Sequence, residues 1–185
     1  MRRFAQRALL AAALLAMPTV GSAQAIQNLK IGCIERREAA ALVTFALPSV
    51  VTKLAERCAP VLPRTAYLTT YAGQLADRYR PDAAAAWPTA RGVIGRVFSQ
   101  VLGQPMPPEM NSDGLRFLVE PMLASVLAEK IKPNACFEAN EVIESLSTVP
   151  GRDIGRLAAL GVAIADRKGN GIAGILKVCR PEERP

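Results

Sequence analysis

Four cysteines, Cys33, Cys58, Cys136 and Cys179, carry the most legible chemistry in this chain. Their number is even, and no pair has the C-x-x-C spacing of a zinc site or a redox dithiol. In an exported chain that pattern predicts two disulfides and an oxidising compartment. Four cysteines allow three pairings. A straight helix between Cys33 and Cys58 would hold them about 37 Å apart, whereas a disulfide needs Cα atoms within about 7 Å. The local scheme, Cys33–Cys58 with Cys136–Cys179, therefore requires a sharp corner at Leu47-Pro48, where the residue before proline is pushed out of helical geometry. With that corner it is the favoured scheme. The competing pair Cys33–Cys179 has its own hint, because the short segments 29–33 and 176–179 can run side by side.

The sequence contains no histidine. That removes Ser-His-Asp and Cys-His catalysis, most zinc and haem ligation, and the usual proton shuttle at neutral pH. Ser/Lys nucleophiles and paired carboxylates remain. A hydrolase of that kind would bring together two of Glu120, Glu129, Lys130 and Lys132 in one pocket. Glu138, Glu141 and Glu144, three residues apart, form an acidic run better explained as a solvated helix face near the positive end of the helix dipole. No metal and no cofactor are expected.

Gly169-Asn170-Gly171-Ile172-Ala173-Gly174 matches G-x-G-x-x-G by letter, but a dinucleotide fingerprint needs a preceding strand and an acidic residue about 20 positions later. A turn after a helix explains it better. A calcium loop beginning at Asp166 fails, because Lys168 and Lys177 stand where ligands belong. Gly151 and Gly155 make a small-xxx-small step suited to close helix packing. The feature most suggestive of a ligand patch is Tyr71, Arg78, Tyr79 and Arg80, since arginine beside tyrosine can recognise anionic or planar groups.

The elements that must position these residues are helical. Aromatics make up only 5% of the chain, alanine and leucine abound, and alternating strand patterns are nearly absent. Val43, Leu47, Val50 and Leu54 recur at helical spacing in 35–57, and Leu68, Tyr71, Leu75 and Tyr79 in 65–79. A third helix carries Ile94, Val97, Phe98 and Val101 and ends at the break from Gly103 to Pro108. Ser112 or Asp113 caps a fourth, with Leu115, Leu118, Met122, Val126 and Leu127 as its apolar face, and Pro133 stops it. Val142, Ile143 and Leu146 mark a fifth; Ile154, Leu157, Gly161 and Ile164 mark a sixth. Pro48, Pro88 and Pro121 should kink or split their helices. The expected fold is all-α: an irregular, orthogonal, disulfide-stapled bundle of six to seven short helices.

The first 25 residues read as a cleaved signal peptide. Arg2, Arg3 and Arg7 precede an apolar run from Ala8 to Met17, Pro18 and Gly21 break it, and Ala23-Gln24-Ala25 suits a signal peptidase. Cleavage is expected after Ala25, with Ala23 as the alternative, leaving residues 26–185 as one helical domain. Removing three arginines takes the net charge from +7 to about +4, a mild excess that demands neither nucleic acid nor an anionic membrane. No later apolar stretch reaches the roughly 18 uninterrupted residues of a membrane span. The chain is thus expected in the periplasm or secreted, as a non-enzymatic binding or interaction protein for an envelope protein, or as a carrier of a small apolar ligand.

Overall fold

A computed structural model describes residues 33–105, 113–167 and 178–179, all within the unit Ile31–Pro185. The signal segment 1–25, its cleavage site, the turn from Gly169 to Gly174 and Lys168 and Lys177 of the calcium-loop comparison lie outside the described residues.

Helix α1, Arg36–Cys58, starts where the Glu35 backbone is extended and its N–H donates to Glu38 Oε2 at 3.0 Å, half of a capping box. It then runs 23 residues without a break, and Pro48 lies inside it. The corner expected at Leu47-Pro48 is absent. A mid-helix proline costs about 3 kcal/mol. Against that, α1 buries Leu42, Phe45, Leu47, Val51 and Leu54, each worth about 1.5–3 kcal/mol as an upper estimate. Breaking the helix at Pro48 would sacrifice part of that burial. In length and composition α1 could cross a membrane, but 56% of its apolar window is buried, because α1 is the central helix of the fold.

Helix α2, Tyr67–Leu102, fuses the expected second and third helices into one of 36 residues, about 54 Å long. Pro81 and Pro88 sit inside it with their rings exposed. The carbonyls they leave without a donor, on Asp77 and Ala84, belong to exposed residues that water can serve. Gly103 ends the helix at φ 67°, a left-handed cap that glycine adopts without strain. Helix α3, Asp113–Glu129, runs through Pro121; a 3-10 turn, Pro133–Ala135, leads into α4, Cys136–Leu146; and α5 is Gly151–Arg167. The described residues therefore form five α-helices, fewer than the six to seven expected, because no proline splits its helix.

Helix α2 packs most extensively on α1, with α5 and α3 also against it, while α4 rests on α2. Two apolar clusters share α1 and α2. One gathers Phe45, Trp87, Val93, Ile94, Leu115 and Ala159, with the Phe45 and Trp87 rings 4.8 Å apart. The other gathers Val51, Leu54, Cys58, Leu68, Leu75, Tyr79 and Cys136.

The disulfides are Cys33–Cys179, with Cα atoms 4.8 Å apart, and Cys58–Cys136, at 5.6 Å. The favoured local scheme is thereby overturned: an unbroken α1 holds Cys33 and Cys58 at its opposite ends. The side-by-side hint is realised as a parallel bridge between Ile34 and Val178, in which Cys179 N–H donates to the Ile34 carbonyl at 2.9 Å. Each loop taken alone is worth about 4.5–5 kcal/mol by chain entropy, more than the local pairings would give.

Large apolar side chains do not all face inward. Leu118, Met122, Val126 and Leu127, expected to form the buried face of α3, are exposed, as are Val142, Leu157 and Ile164. Inner faces use small residues in their place: Ala124 and Ala128 on α3, Gly151, Gly155, Ala159 and Ala163 on α5. A Cβ at Gly155 would run into Thr44 Oγ1 and stand 2.6 Å from the Ala40 carbonyl oxygen. The small-xxx-small step thus does what its spacing predicts.

Gly155→Ala should lose about 1–3 kcal/mol in urea unfolding by overpacking, whereas Gly161→Ala, where a Cβ meets nothing within 4 Å, should gain about 0.5–1 kcal/mol. Peptide mapping without reduction should recover Cys33–Cys179 and Cys58–Cys136. Mild reductant should open the half-exposed Cys33–Cys179 first, since Cys58 and Cys136 are 0% exposed.

Candidate functional site

The close seating of α5 also places charge. At its start, buried Gly151 lies against α2, where a Cβ would come within 3.2 Å of Asp82 Oδ2 and 3.3 Å of the Tyr79 ring. Asp82 accepts the Arg152 backbone N–H at 3.2 Å and stands 3.7 Å from its guanidinium. One turn on, Gly155 presses against α1. Arg152 and Arg156, each next to one of these glycines, are carried to the seam between α5, α1 and α2. Arg36 and Arg37, in the first turn of α1, meet the same seam. The four arginines line a groove of about 550 Å³, whose remaining walls are Ala40, Ala41 and Thr44 of α1 and Asp82, Ala85 and Ala86 of α2.

Three of these guanidiniums have carboxylate neighbours: Arg37 with Glu35 at 2.8 Å, Arg156 with Asp153 at 2.9 Å, and Arg152 with Asp82. Arg36 has no such partner among the described residues. The Arg37 and Arg156 pairs are largely exposed, where ion pairs contribute little and exchange readily for a better partner. Thr44 is buried, and its hydroxyl donates to the Ala40 carbonyl at 2.8 Å. The groove therefore offers planar, permanently charged hydrogen-bond donors above a floor of methyl groups, the chemistry that recognises carboxylate and phosphate groups.

Beside it, Glu38 joins α1 to α2 through Arg96 at 2.7 Å. Burial disfavours its charged form, but the Glu35 N–H and the Arg96 guanidinium together outweigh that and hold the carboxyl below its ordinary value. Tyr79 is raised, first by burial and then by Tyr67, with Arg78 opposing.

The four residues of the sequence-derived patch make separate contacts. Arg78 donates to the Ser147 carbonyl and the Tyr79 hydroxyl to the Leu146 carbonyl at 3.1 Å, so both serve the C-terminal end of α4. Tyr71 is exposed and packs on Tyr67 at 5.1 Å; Arg80 pairs with Asp77. Glu120 accepts from Ser49 at 2.7 Å and lies 3.5 Å from Arg116, whose guanidinium covers the Phe45 ring. Glu129 lines a smaller cavity of about 310 Å³ with Lys53, Glu56 and Arg57, which Lys130 and Lys132 do not reach. Glu138, Glu141 and Glu144 are exposed, and among the described residues no group of three or more Cys, Asp or Glu side chains is placed to hold a metal ion.

The arginine groove was missed at the level of sequence, although its signal is there: Arg152 and Arg156 follow Gly151 and Gly155 at the same four-residue step. Comparison of the chain with protein-family models, with curated proteins and with solved structures finds no match.

The Glu38 carboxyl has a signed pH consequence. A carboxyl held below its ordinary 4.5 stabilises the fold fully above that pH and loses this contribution as pH falls through the lower folded-state value. In urea unfolding, Glu38→Gln should be less stable than the parent chain by a constant margin between pH 6 and 7, and the margin should shrink below about pH 4.5. A margin independent of pH down to about 3 would contradict the assignment.

Proposed function

We propose that this chain is an exported, non-enzymatic binding protein of the cell envelope, periplasmic or secreted, and that its binding site is the arginine groove between α1, α2 and α5. Two disulfides fit an oxidising compartment, and the charged n-region, apolar run and small-residue step of the first 25 residues fit export. The observation that carries the reading is the groove itself: four arginines from two helices lining one concavity of a size typical of ligand sites. Lacking histidine, the chain has no ordinary acid–base group at neutral pH, so the groove favours recognition over turnover. A second reading, carriage of an apolar ligand, draws support from the alanine floor of the same groove.

Inorganic phosphate, titrated at low ionic strength and followed by ¹H–¹⁵N NMR, should shift the Nε–H signals of Arg36, Arg152 and Arg156 together. The signals of Arg57 and Arg64, at and beyond the far end of α1, should move much less. A double variant, Arg36→Ala with Arg156→Ala, should keep the unliganded melting temperature within about 4 °C, since exposed pairs contribute at most about 1 kcal/mol, and lose the response. Equal shifts at all surface arginines would defeat the proposal.

A further inference from the structure

We infer that the groove takes an amphiphile with a single anionic headgroup, a carboxylate or a phosphate, whose hydrocarbon body lies on the alanine floor. This rests on the reading of the groove as an anion-binding site and narrows its ligand. Charge count argues first. The four guanidiniums are matched by the three carboxylates of Glu35, Asp82 and Asp153, so the surplus is one positive charge, centred on Arg36. One carboxylate balances that surplus, and a phosphate monoester, carrying about −1.5 to −2 near pH 7, exceeds it by at most about one charge. A polyanion would bring its further charges against Asp82, which lines the groove and is held there by the Arg152 backbone N–H.

The floor argues second. Ala40 and Ala41 of α1 and Ala85 and Ala86 of α2 all line the groove, and four methyl groups present little for a purely hydrophilic ion to engage. Between them they leave a shallow apolar strip on which methylenes can be taken out of water, while arginine stems, themselves apolar, flank it. Thr44 adds no free donor at that depth, because its hydroxyl already donates to Ala40. A charged rim over a methyl floor matches a ligand that is charged at one end only.

The test is calorimetric titration with octanoate, decanoate and dodecanoate, and with dodecyl phosphate, each below its critical micelle concentration. Acetate, inorganic phosphate and polyglutamate serve as comparators. Affinity should rise about twofold per methylene, half of what complete burial of a CH₂ gives. Ala85→Leu, at an exposed helical position that fills the strip, should weaken dodecanoate about tenfold and leave inorganic phosphate within about twofold. Arg36→Glu should abolish binding of both. Tighter binding of dodecanoate would point to a fatty carboxylate, and tighter binding of dodecyl phosphate to a lipid phosphate; either supports the inference. Affinity independent of chain length, or polyglutamate binding more tightly than dodecanoate, would overturn the amphiphile and leave anion recognition standing. If acetate, phosphate and every amphiphile fail to bind, both readings fall.

Discussion

Helix α5 can reach α1 only because Gly155 has no side chain. A single added carbon there would stand 2.6 Å from the Ala40 carbonyl oxygen, part of a helix backbone that cannot step aside. Gly151 makes a looser contact of this kind, where a Cβ would stand 3.2–3.3 Å from side-chain atoms of Asp82 and Tyr79 on α2. These two contacts seat α5 against α1 and α2 and so bring Arg152 and Arg156 to the lining of the groove. The site is a by-product of close packing: where two backbones approach, the next side chain along is left at the rim. Thr44 shows how tightly the seam is drawn, its hydroxyl bonded within α1 and lying 3.5 Å from the Gly151 carbonyl of α5.

That economy of size recurs along the inner faces of the fold. Alanine at 124, 128, 159 and 163 lets helices approach, while Phe117, at 78% exposed, and Leu118, Met122 and Leu157 face outward. Close approach gains many weak dispersion contacts along two backbones and avoids the rotamer entropy that a buried leucine loses. Central α1 and the 36-residue α2 run through both apolar clusters, so neither cluster can loosen without disturbing helices that hold the other.

The all-helical class, the presence of two disulfides, the end of α2 at Gly103 and the tight packing of the glycine step are legible in the sequence. Four things are not. The pairing of the cysteines is one, because the favoured local scheme rests on a corner at Pro48 that an unbroken α1 removes. Proline was read as a helix breaker, yet Pro48 sits in a helix whose burial outweighs its cost, and Pro81 and Pro88 keep their rings on the exposed side. Apolar periodicity weights large residues, so on α3 it selected Leu118, Met122 and Val126 and overlooked the alanines that do the packing. The arginine groove draws on three helices whose order in space no local pattern encodes, whereas Tyr71, Arg78, Tyr79 and Arg80 lie on one helix and are near one another in the chain.

The two disulfides are nested, with Cys58–Cys136 enclosed by Cys33–Cys179. A chain that emerges from its N-terminus presents Cys33 and Cys58 long before their native partners exist to be joined. An oxidant acting on thiols in their order of appearance would link those two, and the resulting bond would keep α1 from forming as one helix. The native connectivity is therefore not the one that vectorial oxidation delivers. Reaching it requires thiol–disulfide exchange, or oxidation delayed until residue 179 is out.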